Sequence, residues 1–270
     1  MPQFRYCLNT STIRTTSILK KIEVASKAGY NGIELWYDDL ELWIAAGGTL
    51  RDLRQRLNDH GLEVPALIHL KNWFQTVGEE YSAAVDAAKR KFEQAAELEA
   101  PYCIAGPPHG TADRKLGASR YAELIELARG FGVLPALEYL GFVEDIRTIE
   151  DALDIINRSG ADEARIVLDP FHCHSGGGSI ETIGTLTGSQ IAISHFNDAP
   201  AFPEAVKQRD PDRVMPGDGV IDLRRYCTLL ASVGYSGFLS LELFRPDLWE
   251  LDPLDVAEEG LRKMKQIAEG

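Results

Sequence analysis

Eight short apolar or β-branched runs alternate along this chain with longer stretches of helical period, and that alternation restricts it to parallel sheets built from βα units. The runs are FRYCLN from Phe4, GIELW from Gly32, EVPALIHL from Glu63, YCIAG from Tyr102, LPALEYL from Leu134, RIVLD from Arg165, IAISHF from Ile191 and GFLSLELF from Gly237. Helices are expected between and after them over residues 17–28, 51–60, 81–98, 119–130, 148–158, 223–233 and 255–267. Thr49 and Thr148 have the chemistry of N-caps, and KAGYNG, DHGLEV and VGYSG place a glycine between a helix and the next strand. Eight strands, each followed by a helix, fit a (β/α)8 barrel better than an open doubly wound sheet, which has fewer strands. No Pro/Gly/Ser-rich linker divides the chain, so one domain over residues 1–270 is expected. HSGGGSIE, from His174, reads as a short glycine loop joining a strand to a helix.

Composition narrows the function classes. With 28 Lys and Arg against 41 Asp and Glu the formal charge is −13, and no basic cluster is available to displace counterions from nucleic acid. Small neutral molecules and metal cations fit this balance. Cys7, Cys103, Cys173 and Cys227 are far apart and form no C-x-x-C pair, as expected of reduced thiols in a cytoplasmic protein. The first residues lack the apolar stretch of a signal peptide, and no later segment is long and apolar enough for a membrane span. Neither a G-x-G-x-x-G after the first strand nor a Walker loop is present, so dinucleotide and P-loop chemistry have no support.

In a barrel of this kind the active site is built where strands end, so polar residues closing apolar runs are the informative ones. Glu138 closes the fifth run, Asp169 the sixth, His195 the seventh and Glu242 the eighth. They are 31, 26 and 47 residues apart, yet consecutive strands are neighbours, so the four side chains should converge. Three carboxylates and an imidazole at close range repel as bare anions, and one divalent cation (Mn²⁺, Zn²⁺, Mg²⁺ or Co²⁺) is the simplest object that holds them together. His172 and Glu144 follow two of these residues in βα loops, where substrate would lie, and His174 reads as a structural neighbour. Glu34, His69 and His109 end earlier runs and are candidates for the opposite wall, with Trp36, Trp73 and Phe171 as apolar surface. Arg213 and Arg245 are the candidate cationic groups near the site.

The segments ALEYLGF, IVLDPFHCHSGG, ISHFNDAP, DRVMPGDGVIDL and LSLELFRPDLWE resemble the xylose-isomerase-like TIM-barrel superfamily over nearly the whole chain. The last three are more similar to the 2-keto-myo-inositol (inosose) isomerase branch than to the ketose 3-epimerases. The resemblance implies that Glu138, Asp169, His195 and Glu242 bind one divalent metal and that His172 contacts a substrate oxygen. It gives Glu144 a similar substrate-binding role. The arginine that the epimerases carry shortly after the strand-seven histidine is absent from HFNDAPAF, and Arg213 is its nearest substitute. The ligand set of the superfamily's endonuclease IV is incomplete here.

The function expected is therefore a metal-dependent isomerase or epimerase of a ketose or keto-polyol, foremost an inosose, acting through a metal-bound cis-enediolate. Glu138 and Glu242 are the expected acid and base, and His172, Glu144, Arg213 and His69 the expected substrate contacts. The same enolising site would serve a 3-dehydroshikimate dehydratase or a 3-keto-glycoside lyase, and a sugar-binding protein without turnover is the non-enzymatic alternative. The expected partner is a small sugar or keto-polyol, with neither nucleic acid nor membrane. Association of copies through the outer helices is left open.

Overall fold

Each of the eight apolar runs forms a strand, and neighbours pair in parallel in chain order until the last meets the first and closes a barrel. The computed structural model describes residues 4–270. The strands are β1 (Arg5–Asn9), β2 (Gly32–Trp36), β3 (Ala66–Leu70), β4 (Tyr102–Ala105), β5 (Leu134–Leu137), β6 (Arg165–Leu168), β7 (Ile191–His195) and β8 (Phe238–Leu241). The helices around them are α1 (Ile18–Ala28), α2 (Tyr37–Ala45), α3 (Leu50–Asp59), α4 (Gly78–Glu97), α5 (Arg114–Arg129), α6 (Ile149–Ser159), α7 (Pro170–Gly176), α8 (Leu223–Ser232), α9 (Pro246–Trp249) and α10 (Pro253–Ala268).

Strand alternation decides what faces the barrel axis. Cys7, Ala66, Ile68, Ile104, Ala136, Val167, Ile193 and Phe238 belong to an apolar cluster distinct from the larger one between sheet and helices. Two residues further along the same faces lie Asn9, Glu138, Asp169 and His195, and four beyond Phe238 lies Glu242. One face of the alternation therefore fills the barrel with apolar groups and then crowns it with polar ones.

The expected helix ends are largely present. The Thr49 hydroxyl accepts from Asp52 N at 3.1 Å, and Thr148 and Asp151 cap each other reciprocally. Gly29 ends α1 with φ of +92°, a conformation that favours glycine. Three expectations are corrected. The run from Glu63 begins its strand only at Ala66, because Pro65 has no N–H to give to a ladder. Helix α5 starts at Arg114, five residues early, because the Asp113 carboxylate caps it through Leu116 N. The glycine loop expected from His174 is instead the end of α7, followed by a 3₁₀ segment at Ile180–Thr185. Helix α2, continuous with β2, was not among the expected elements.

Candidate metal centre and active site

The four strand-end residues meet. Each of Glu138, Asp169, His195 and Glu242 is buried and offers a donor atom, and the four atoms lie within 4.8 Å of one another. His195 Nδ1 is 3.0 Å from Glu138 Oε1, 3.1 Å from Glu242 Oε2 and 3.4 Å from Asp169 Oδ2. Neither His195 Nδ1 nor Glu138 Oε1 has a hydrogen-bond partner, although both are buried. Such orphaned atoms are costly unless something else joins them.

Local chemistry aims each group. Asp169 is the N-cap of α7: Oδ1 accepts from Phe171 N and His172 N, leaving Oδ2 for the site, while Pro170 occupies the first turn. The Tyr139 hydroxyl, next to Glu138, donates to Asp169 O and accepts from Asp169 N. On the far side of His195, Nε2 faces Glu34 Oε1 at 3.3 Å, which assigns the ring proton to Nε2 and turns the Nδ1 lone pair toward the three carboxylates. Glu34 in turn accepts from Asn9 Nδ2 at 2.8 Å and Ser240 Oγ at 2.6 Å. This set of three oxygens and one nitrogen, with a carboxylate behind the imidazole, fits a divalent cation.

The electrostatics agree. Burial alone would lower the His195 pKa, but Glu242, Glu34, Glu138 and Asp169 together raise it well above its ordinary value. The pocket thus favours positive charge at Nδ1, whether a proton or a metal ion. Burial pushes Glu242 up to about 8, aided by Glu138 and Asp169 and opposed by His195 and Arg213. For Asp169 the upward push of burial is outweighed chiefly by Arg213, with His195 beside it, and its carboxyl stays well below the usual range.

Arg213 arrives from the long connection after β7. It is 1% exposed, and its Nη1 donates to Asp169 Oδ2 at 2.8 Å and Glu242 Oε2 at 2.7 Å. Its Nη2 lies 2.9 Å from His172 Nε2 and 2.9 Å from Asp210 Oδ1. Because the guanidinium only donates, His172 Nε2 must accept, and its Nδ1–H is left buried without a partner. Burial lowers the His172 pKa and keeps the ring neutral.

A cavity of about 580 Å³ opens beside the cluster, and of the four grouped residues only Glu138 and Glu242 line it. Arg213, His172, His69, His109 and Trp36 line it as well, with Phe142 and Phe244. Several expected residues are placed elsewhere. Glu144 is exposed, accepts from Thr111 Oγ1 at 3.2 Å and is absent from the cavity wall, because the turn after Glu138 carries it outward. Arg245 pairs with Asp247 and reaches the site only by donating to Arg213 O at 3.4 Å. Trp73 is buried with its indole N–H on Gly106 O, and Phe171 lies beneath the Arg213 guanidinium, so neither lines the cavity. His172 sits on α7 and not in a loop. Sequence reasoning missed Asn9, Asn197 and Asp210. Asn9, which ends β1 and donates to Glu242 Oε1 at 3.1 Å, and Asn197, which donates to Asp169 Oδ2 at 3.3 Å, fall on the same period-two faces as the metal-site residues, but an amide carries no charge.

A family model described as a xylose isomerase-like TIM barrel matches residues 22–267. The chain belongs to that family. It is 31% identical to an inosose isomerase of Bacillus velezensis over 98% of its own length and 96% of that protein. It is 28% identical to a 3-dehydroshikimate dehydratase of Pseudomonas aeruginosa over 93% of this chain but only 40% of the dehydratase. Among solved structures, that of the IolI protein with a bound zinc atom superposes with a TM-score of 0.91 at 27% identity, covering 98% of each chain. Membership accounts for the closed barrel and for a polar crown at its strand ends, the place where such folds build their sites.

Proposed function

We propose that this protein is a divalent-metal-dependent isomerase of keto-polyols and that its substrate is an inosose, which it converts to a second keto-inositol by moving a proton between adjacent carbons. The observation that carries this reading is the four-donor cluster, two of whose carboxylates face a cavity of about 580 Å³, in a chain similar end to end to inosose isomerases. Glu138, Asp169, His195 and Glu242 are the residues that would hold the metal. When bound, the cation supplies Lewis-acid polarisation of a ketone and its neighbouring hydroxyl.

The chain's own groups do the rest. Glu138 and Glu242 reach the cavity from β5 and β8, so one can remove the proton from the hydroxyl-bearing carbon and the other return a proton to its neighbour. Burial, with Glu138 and Asp169 beside it, pushes the Glu242 pKa up and a bound cation would oppose that push, so proton transfer is assigned to the Glu138 and Glu242 pair by their reach into the cavity. Arg213 keeps its charge and offsets Asp169 and Glu242, and His172, held through Nε2 by Arg213, presents its ring to the cavity as a contact for the substrate. Trp36, Phe142 and Phe244 give the cavity apolar faces against which the carbon skeleton of a polyol can lie.

The test is proton NMR of scyllo-inosose in D₂O with the Mn²⁺-loaded and Zn²⁺-loaded protein. Deuterium entering the carbon beside the ketone, with a new keto-inositol appearing, is the expected result. Binding of metal and inosose without exchange would leave a sugar-binding protein. Turnover of 3-dehydroshikimate in its place would move the chemistry to dehydration.

A further inference from the structure

Asn9 closes β1 with its side chain wholly buried, and every hydrogen-bonding position of its amide is taken. Nδ2 donates to Glu34 Oε2 at 2.8 Å and to Glu242 Oε1 at 3.1 Å. Oδ1 accepts from Ser11 N at 2.9 Å, as the N-cap of a 3₁₀ turn at Thr10–Ile13, and from Trp36 Nε1 at 2.9 Å. The partners fix which end of the amide is which. Reversed, it would set an oxygen against two carboxylates and an NH₂ group against two N–H donors.

These contacts close a ring. Glu34 Oε1 faces His195 Nε2 at 3.3 Å, His195 Nδ1 lies 3.1 Å from Glu242 Oε2, and Glu242 Oε1 returns to Asn9. The ring takes one residue from each of β1, β2 and β7 and Glu242 from the end of β8, and these four strands are neighbours in the closed barrel. Within it Asn9 stands between two buried carboxylates and gives an N–H to each, which offsets part of their mutual repulsion. Outside it, Trp36 forms part of the cavity wall and meets Phe244 and His69 edge-on at 5.7 Å. One amide therefore ties an apolar wall of the cavity to the carboxylate that enters from β8.

We propose that Asn9 is a positioning residue for the proton transfer. Through Nδ2 it holds Glu242 Oε1, which leaves Oε2 toward His195 and Arg213, and through Oδ1 it locks that carboxylate to the Trp36 wall. This rests on the isomerase reading above and deepens it. Proton transfer is sensitive to placement, and a shift of about 1 Å costs on the order of a hundredfold. Without the amide donor the Glu242 carboxylate can turn about its last bond, so the loss falls on kcat, whereas the cavity walls that set KM remain.

Two variants separate this role from that of a turn cap. Asn9→Asp keeps the size and the acceptor for Ser11 and Trp36 but has no N–H to give, and Asn9→Leu removes donor and acceptor without adding charge. In both, kcat for scyllo-inosose with the Zn²⁺-loaded protein is expected to fall about ten- to a hundredfold with KM within about threefold. A normal kcat in Asn9→Leu overturns the proposal, since a loss confined to Asn9→Asp would be an effect of the added charge. A second readout needs no turnover and uses only Asn9→Asp, in which the cap is kept. In proton–nitrogen correlation spectra the Trp36 indole signal, assigned by its loss in Trp36→Phe, is expected to move when Zn²⁺ saturates the natural protein, because charge drawn from Glu242 changes the bonds on both sides of the amide. In Asn9→Asp it should move much less. An unmoved signal in the natural protein, or equal movement in both, refutes the tie. Should no protein turn scyllo-inosose over, the isomerase reading fails by itself, and the indole response decides whether Asn9 couples Trp36 to Glu242.

Discussion

Glu34 occupies the middle of β2, is fully buried and accepts from Asn9 and Ser240 while facing His195 Nε2. It holds the imidazole in one tautomer, and its charge makes Nδ1 a stronger donor. Glu34→Gln keeps the shape and removes the charge, so affinity for Zn²⁺, read by competition with a chromogenic chelator, should fall roughly ten- to a hundredfold. Glu242→Gln should reduce turnover by about a hundredfold or more with an unchanged circular dichroism spectrum, since a general acid–base group contributes on that order. A near-normal rate would remove Glu242 from the proton transfer. His69 makes a prediction of the opposite kind. Its folded pKa of about 4 lies below the unfolded value of 6.5, so between the two the unfolded chain binds more protons. The neutral ring's contribution is complete above pH 6.5 and disappears as pH falls toward 4. His69→Asn should therefore have a shallower acid limb than the natural protein in urea titrations across this window, by about 2–3 kcal/mol.

Among the elements, the connection after β7 brings Arg213 onto Asp169 and Glu242. Asp198 pairs with Val214 through two backbone bonds of 3.0 Å, and its carboxylate accepts from the N–H groups of Ala199, Gly217, Gly219 and Ile221. This clasp returns the chain so that Arg213 points into the barrel mouth. A side chain at Gly219 would run into the Ala199 carbonyl and the Asp198 carboxylate. Gly219→Ala should open the clasp, lower stability by about 1–3 kcal/mol and raise KM as Arg213 shifts, measured by urea unfolding and by steady-state kinetics. The strands were readable because short apolar runs punctuated by glycine have few other ways to fold. Helix α2 was not, since YDDLELWIA follows the strand with no intervening breaker. Helix α7 carries its signals, a capping Asp169 and Pro170 at the first turn, but the glycines after His174 have the composition of a loop.

For the whole molecule, barrel closure places four carboxylates, Glu34, Glu138, Asp169 and Glu242, around one buried imidazole. A divalent ion that binds only the folded state should stabilise it by about 2.7 kcal/mol at a hundredfold excess over Kd, and raise Tm by roughly 5–10 °C. EDTA should reverse the shift, and a Tm indifferent to metal would argue against the centre. The amino-acid sequence by itself determined the number and order of the strands and the four residues whose side chains converge. Both are properties of local pattern, since period two sets the face and consecutive strands in a closed parallel barrel are neighbours. Only the tertiary structure decided that Glu34 supports His195, that Asn9 and Asn197 join the cluster, that Arg213 neutralises it and that Glu144 turns away. Those facts depend on contacts between segments up to 233 residues apart, as between Asn9 and Glu242. The contacts of Glu34 and Asn9 are set by the register of the closed barrel and those of Arg213 and Glu144 by the loops beyond the strand ends, and no local periodicity encodes either.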